Sequence, residues 1–342
     1  MQWLSLSKNN TGPKYFVGED NQPVNLFGMA RCQSCAVHSE DPVYGGVDGI
    51  CRHFKNLGCN FIRLAVDVRT SSGERGHHAD YIEECGGYND KGIRAFIEKY
   101  VVPEVEIIKQ NGMYVMLDLH EYPPSDLDDM GIIDYAYSHY IPIWRGFAEY
   151  FKDEPAVAVY EIWNEPYPAD ISQALKDGPE WIRRIREFFF DAVKEIRKTD
   201  RRHIIMVSDY NAGWGMAWDN CWKDYCHSVD ECKNTCFSIH LSDKQLEKEA
   251  PEYLEWLLKT ADENNVCLLY GEVETEGGIA TTAGIENLVK LIDGTKDTHH
   301  LTAVLWRPHD DKTNFVSVWE DFAKGYTTKF DCENQTKGGD AE

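Results

Sequence analysis

Eight short apolar runs punctuate this chain, and most lead into a longer stretch with apolar residues at helical spacing. The runs are NLFGMA (25–30), NFIRLAV (60–66), MYVMLDLH (113–120), VAVYEIWN (157–164), HIIMVS (203–208), CFSIH (236–240), VCLLYGE (266–272) and LTAVLW (301–306). Their length and β-branched content predict buried strands. Helical patterns fall near 46–58, 91–111, 133–151, 180–199, 243–264, 283–293 and 316–324, with a weaker one at 214–225. The helix beginning near Pro179 is expected to carry that proline in its first turn, where the missing N–H costs nothing. Strands alternating with helices over roughly 300 residues fit a (β/α)8 barrel better than an open sheet. An open nucleotide-binding sheet would carry a glycine-rich turn after its first strand, and FGMARCQS is not one. The expected organisation is a single domain over 1–342, with the barrel at about 24–325, an N-terminal strand or hairpin at about 1–23 and a tail at about 326–342.

In such a barrel the chemistry sits where the strands end. The residues there are Arg63, His120, Asn164 with Glu165, His240, Glu272 and Trp306. One polar strand end means little. A set of them forms a constellation, because barrel closure gathers the ends around one axis. The run YEIWNEPY (160–167) drives an apolar strand into an amide, a carboxylate and a proline, which suits a chain presenting Glu165 at the barrel mouth.

Charge and composition narrow the function. Among 342 residues, 58 acidic against 35 basic side chains give a formal charge of −23. So negative a surface repels phosphate backbones, which argues against nucleic acid as a partner. No run approaches the ~18 uninterrupted apolar residues of a membrane span. Eleven cysteines are many. Cys221, Cys226, Cys232 and Cys236 do not have the paired spacing of zinc knuckles, so no metal and no cofactor is expected. Disulfides pinning the loop before the sixth strand, or plain buried thiols, are the two readings of that cluster.

YEIWNEPY resembles the acid/base signature of glycoside hydrolase family 5, within the clan of retaining (β/α)8 glycosidases. LLYGEVE (268–274) resembles its seventh-strand nucleophile motif, and FIRLAVD (61–67), LDLHEY (117–122), SIHLS (238–242) and AVLW (303–306) fall at the family's other active-site strands in order. The resemblance runs over roughly residues 15–325. It implies Glu165 as general acid/base and Glu272 as nucleophile. Glycoside hydrolysis needs such a pair: one carboxyl to protonate the leaving oxygen and one carboxylate facing the anomeric carbon. Two carboxyls so close do not ionise together easily, and Arg63 is expected to favour the ionised form of Glu272, leaving the proton on Glu165. Asn164 is expected to hydrogen-bond the sugar 2-hydroxyl, His120 and His240 to orient carboxylates or hydroxyls, and Trp306 to offer a flat face to the sugar. Arg63 could instead serve a structural pair with Asp67 or Asp118. Glu161 should sit deep in the strand. The family usually carries His-x-Tyr at the sixth strand, whereas here the residues are His240, Leu241 and Ser242. Tyr210 or Tyr270 are the candidate substitutes.

Long loops at 67–90, 121–131 and 209–235 are expected to choose the substrate. Trp214, Trp218 and Trp222 recur every four residues, either as sugar platforms or as an apolar cluster. The resemblance implies a retaining endo-β-1,4-glucanase, with β-mannanase, xyloglucanase or exo-acting β-glucosidase as alternatives on the same site. A carbohydrate-binding barrel with impaired catalysis is the alternative of another class. The expected partner is an oligo- or polysaccharide, with no membrane and a monomeric chain. The expected location is extracellular, the alternative being cytoplasmic.

Overall fold

A computed structural model of the chain describes residues 1–31, 45–56, 58–68, 80–121, 123–124, 126–166, 171–208, 230–242, 250–274, 299–300 and 302–305. A short antiparallel hairpin comes first, β1 (Ser5–Leu6) with β2 (Phe16–Val17). Eight parallel strands then close into one barrel in chain order. They are β3 (Phe27–Arg31), β4 (Phe61–Val66), β5 (Tyr114–Leu119), β6 (Val157–Glu161), β7 (Ile204–Val207), β8 (Thr235–Ser242), β9 (Leu268–Glu274) and β10 (Thr302–Leu305), and β10 pairs back onto β3. Each expected strand is present, its ends within three residues of the expected ones. The expected helices near 214–225, 283–293 and 316–324 lie outside the described residues, as do Trp214, Trp218 and Trp306.

Strand alternation sorts the side chains into two layers. Ile62, Leu64, Val115, Leu117, Val207 and Ile239 face outward into the core shared with the helices. Phe61, Tyr114, Met116, Ile204, Met206 and Leu269 face inward and meet Leu4, Leu6 and Phe16 of the hairpin. The hairpin thus plugs the N-terminal end of the lumen with apolar side chains. Toward the C-terminal end the inward positions turn polar, at Arg63, Asp118, Glu161, Ser238, His240 and Glu272, all buried.

The helices follow the expected pattern with instructive departures. The expected helix 91–111 is one run, Asp90–Phe96, Ile97–Val101 and Val102–Gln110, whose middle turn is π-helical. The expected helix 133–151 repeats this as Asp129–Tyr135, Ala136–Tyr140 and Ile141–Phe151. In both, a proline follows the wide turn: Pro103 in one, Pro142 in the other. Proline lacks an N–H and its ring crowds the carbonyl four residues back. A widened turn just upstream, with the Val102 N–H donating to the Ile97 carbonyl and Ile141 to Ala136, absorbs that conflict. The helix expected to begin near Pro179 spans Ile171–Arg197 instead, so Pro179 is not in its first turn. Gly178 and Pro179 read as a helix boundary and mask the turns before them, where Ile171, Ala174 and Leu175 already stand at helical spacing. The buried stripe of Trp181, Ile185, Phe188, Ala192 and Ile196 carries the element beyond Pro179. No helix of the described residues is long and apolar enough to cross a membrane.

Among the described cysteines, Cys51, Cys59, Cys85, Cys232 and Cys267 are free thiols. A disulfide pinning the loop before β8 therefore does not engage Cys232. Cys236 packs in the inner core of the barrel. Cys32, Cys35, Cys221 and Cys226 lie outside the described residues.

One irregularity decides where Glu272 points. Leu269 faces the lumen and Tyr270 the outer core, so plain alternation would place Gly271 inside and Glu272 outside. The pairing slips there. Ile239 opposes Tyr270 while His240 opposes Glu272, and Ala303 opposes Tyr270 while Leu305 opposes Val273. Both neighbours thus register one extra residue in β9, a β-bulge that turns Glu272 inward. Glycine suits the bulge, because a Cβ on Gly271 would lie 2.3 Å from Ser238 Oγ and would displace that hydroxyl from Glu161. Gly271→Ala should therefore lower unfolding free energy by about 1–3 kcal/mol, as overpacking does. Urea unfolding checks this, and an unchanged midpoint would show that the strand has room to spare.

Candidate active site

Arg63 leaves β4 pointing into the lumen, and its side chain is fully buried. A charge there must be matched by partners or it destabilises the fold by several kcal/mol. Arg63 Nε donates to Glu161 Oε2 at 2.6 Å, Nη1 to Glu272 Oε1 at 2.6 Å, and Nη2 to Asn164 Oδ1 at 2.8 Å. Nη2 also lies 2.9 Å from Asp118 Oδ2. The guanidinium therefore ties β4 to β5, β6 and β9 through its rigid fork of donors. Burial works against its charge, but Asp118, Glu161 and Glu272 together push its pKa well above the usual arginine value. The Arg63–Glu272 pair matches the sequence expectation, and the alternative partner Asp118 is engaged as well.

Around this hub stand the other expected residues. Asp118 Oδ2 accepts from His120 Nδ1 at 2.8 Å. Burial lowers the His120 pKa to about 4, so its ring is neutral at ordinary pH. Glu165 follows β6 at a backbone φ of 31°, a left-handed conformation that an L-residue adopts only under constraint. Such strain costs on the order of 1–3 kcal/mol and collects at functional sites. Here it turns the carboxyl toward His240, whose Nδ1 meets Glu165 Oε1 at 2.7 Å and lies 3.7 Å from Glu272 Oε2. Burial lowers the His240 pKa, against the pull of Glu272. Burial raises the Glu272 pKa, opposed by His240 and Arg63 and reinforced by Glu165.

One oxygen of Glu165, one of Glu272 and a ring nitrogen of His240 lie within 4.8 Å of one another. These are the donor types of a metal site. The 2.7 Å separation of Glu165 and His240 is nevertheless a hydrogen-bond distance. Ligands bound to one tetrahedral zinc at 2.0–2.2 Å sit about 3.3 Å apart. The trio is set for proton exchange.

The structure thus brings together Arg63, His120, Asn164, Glu165, His240 and Glu272 at one end of the barrel. Trp306, Trp214 and Trp218 lie outside the described residues, as does Tyr210. Tyr270 faces the outer core beside Ile239, so it does not take the place of the family's sixth-strand tyrosine. Asp118 and Glu161 join this set through Arg63, although neither is among the expected strand-end residues. Counting in twos from Arg63 through its register partners finds them, because Met116 opposes Arg63 and Asp118 opposes Glu161. Gly271 within an apolar strand was the available signal for the bulge.

Arg63→Lys should raise the Glu272 titration midpoint by on the order of one pH unit, because an ammonium keeps the charge but cannot serve four partners at once. Carboxyl-carbon NMR of the titrating protein reads this directly. A midpoint unchanged from the parent protein would mean that Arg63 does not hold Glu272 in its ionised form.

Comparison with known proteins bears on this arrangement. The model of the cellulase family, glycosyl hydrolase family 5, matches residues 17–312. Endoglucanase A of Ruminococcus albus is 25% identical over 189 residues, 54% of this chain and 47% of its own. Cellulase CelDZ1 of Thermoanaerobacterium sp is 26% identical over 192 residues, 54% of this chain and 40% of its own. The chain spans about half the length of the curated relatives it matches. Among solved structures, the β-glucanase SdGluc5_26A of Saccharophagus degradans aligns with a TM-score of 0.63 at 16% identity, over 96% of this chain and 94% of that one. That protein has also been solved in complex with cellotetraose. Cellulase Cel5C_n aligns with a TM-score of 0.61 at 19% identity, over 88% and 80%. At these identities the structural likeness is one of fold, but the family match takes in nearly the whole barrel, and the chain belongs to glycosyl hydrolase family 5.

Proposed function

We propose that the chain is a retaining glycoside hydrolase that cleaves β-1,4-linked glucan by double displacement. The observation that carries this reading is that one oxygen of Glu165 and one of Glu272 lie within 4.8 Å of each other across the barrel mouth, which leaves no room for an inverting separation. Retaining enzymes hold their two carboxyls about 5–5.5 Å apart, whereas inverting ones leave about 6.5–9.5 Å for a water. Family membership and the endoglucanase and cellulase names of the relatives support a glucan as substrate, and so does the cellotetraose complex of the β-glucanase neighbour.

The roles follow from the contacts. Glu272 Oε1 is held by Arg63, which leaves the other oxygen to attack the anomeric carbon. As the new C–O bond forms, Glu165 gives its proton to the departing glycosidic oxygen and the first product leaves. A glycosyl ester on Glu272 remains. Glu165, now a carboxylate, takes a proton from water, whose oxygen attacks the same carbon and frees Glu272. Two inversions give net retention. His240, kept neutral by burial, donates Nδ1–H to Glu165 Oε1 and turns the other oxygen toward the leaving group. Asn164 has its Oδ1 fixed by Arg63, which sets the amide in one orientation for the sugar 2-hydroxyl. Trp306, directly after β10, would be the sugar platform at this centre.

Glu272→Gln should abolish nearly all hydrolysis of an activated aryl β-cellobioside while sugar binding persists. Glu165→Ala should cripple substrates with poor leaving groups most, and added azide should restore turnover as a β-glycosyl azide. Product analysis on cellulose, mixed-linkage glucan, mannan and xyloglucan then fixes the chain that is cut. An inverted product would overturn double displacement. A parent protein that binds these glycans but cuts none would make it a carbohydrate-binding barrel.

A further inference from the structure

The end of the barrel away from the catalytic groups carries a cavity of about 650 Å³, between the N-terminal hairpin and the turns that lead into β7 and β8. Its wall includes the cations Lys8 and Lys14 from the hairpin, Arg201 and Arg202 before β7, and Lys233 before β8, against two acids, Glu19 and Glu231. Part of this charge is already matched. Arg201 Nη2 lies 3.1 Å from Glu231 Oε2, and Lys14 Nζ donates to the Ser7 carbonyl at 3.0 Å. Lys8, Arg202 and Lys233 have no carboxylate within 4.0 Å among the described residues. Acidic side chains outnumber basic ones 58 to 35 in this chain, so unmatched cations gathered around one cavity run against its composition.

The wall is also held in one shape. Asn234 joins its three segments: Oδ1 accepts from the Leu6 N–H of the hairpin at 2.8 Å, and Nδ2 donates to the Arg202 carbonyl at 2.8 Å. The Arg202 guanidinium lies over the Trp3 ring, 4.9 Å from its centre. Lys233 has a backbone φ of 52°, a left-handed conformation that a side chain bearing a Cβ resists. A tight turn maintains it, with the Lys233 N–H donating to the Asp230 carbonyl at 2.9 Å. The buried Asp230 carboxylate anchors that turn by accepting from Arg197 at 2.8 and 3.0 Å and from the Cys232 and Asn234 N–H groups. Backbone strain kept in place by its surroundings collects where a side chain has to be presented.

We propose that this cavity is a second binding site, for an acidic oligosaccharide whose carboxylates are held by Lys8, Arg202 and Lys233. The unmatched charges are positive, so the ligand is an anion. They come from three segments around one cavity, which suits charges spaced along a chain better than one compact ion. Ser5 and Asn10 in the same wall supply neutral groups for sugar hydroxyls, and the volume is in the range that encloses small organic ligands. A long nucleic acid is also anionic, but its phosphates would run past the cavity onto a surface of formal charge −23. A short carboxylated chain stays within the cationic wall, where salt screens acids more than about 8–10 Å away. A glycan held here lies at the opposite face from Glu165 and Glu272, so it is an anchor and not the chain that is cut. That use, raising the local concentration of substrate from the same material, rests on the glucan-cleaving reading. The binding does not.

Calorimetric titration of the parent protein with trigalacturonate should show one site at low salt. Affinity should fall roughly tenfold as ionic strength rises from about 0.01 M to about 0.15 M, because the Debye length contracts from ~30 Å to ~8 Å. Bound trigalacturonate should shield Lys8 and Lys233 from acetylation, read by mass spectrometry, and leave the exposed Lys91 as reactive as before. A combined variant, Lys8→Gln with Arg202→Gln and Lys233→Asn, removes the charge and keeps the turn, since asparagine tolerates left-handed backbone. It should bind roughly tenfold more weakly, the worth of three partly exposed ion pairs, and hydrolyse soluble glucan at the parental rate. Absence of binding at low salt overturns the proposal, as does undiminished binding by the variant or equal shielding of Lys91. Triglutamate or a single-stranded oligonucleotide bound as tightly would show a site that reads charge alone, which contradicts a sugar ligand. Binding retained by a parent protein inactive on every glucan would uphold the site and sink only the catalytic reading.

Discussion

A single guanidinium with no access to water organises this molecule. Arg63 lies at the level where the barrel lumen changes from apolar to charged, and an unmatched charge at that depth would cost more than most core contacts contribute. Its four partners come from three other strands or their ends, so satisfying Arg63 fixes β4, β5, β6 and β9 relative to one another. The same bonds aim Glu272 and Asn164. Fold and site are in this sense one constraint. The geometry that makes the arginine tolerable also brings a carboxylate to the barrel mouth.

That constraint accounts for features that would otherwise look like defects. The β9 bulge reverses the facing of Glu272, and Gly271 keeps it clear of Ser238 and His240. The left-handed backbone at Glu165 brings a second carboxyl toward the first against their mutual repulsion. Two wide π turns let prolines sit inside the helices that cover β4, β5 and β6. The N-terminal hairpin fills the far end of the lumen with Leu4, Leu6 and Phe16, so that the buried charges rest on a packed floor.

Much of this was legible in the sequence. The eight apolar runs gave the barrel because parallel strands covered on both faces read as continuous apolar segments. Arg63, His120, Asn164, Glu165, His240 and Glu272 were legible because each lies within or just after a barrel strand, and closure gathers those strands around one axis. What stayed hidden depended on local register. Strand alternation assigns Glu272 to the wrong face until the bulge is known. Tyr270 looks like a substitute for the missing tyrosine until the same count places it in the outer layer. Asp118 reads as an ordinary strand residue, since its unusual surroundings exist only once β4 and β6 flank it. The start of the Ile171–Arg197 helix stayed hidden because Gly178 and Pro179 read as a helix boundary, although Ile171, Ala174 and Leu175 already hold helical spacing before them. Cysteine spacing suggested disulfides, but Cys236 turned inward to the core, which spacing does not encode.

The pairing of two glutamates across the barrel mouth is the centre of this picture, and covalent trapping tests it most directly. The parent protein is incubated with an activated fluorosugar cellobioside, which forms the glycosyl ester quickly and hydrolyses it slowly, and the labelled peptide is identified by mass spectrometry. The expected result is one glycosyl group per chain, esterified to Glu272 and released when an acceptor sugar is added. Labelling of another carboxyl, or hydrolysis of the natural glucan with no trapped ester at all, would contradict it.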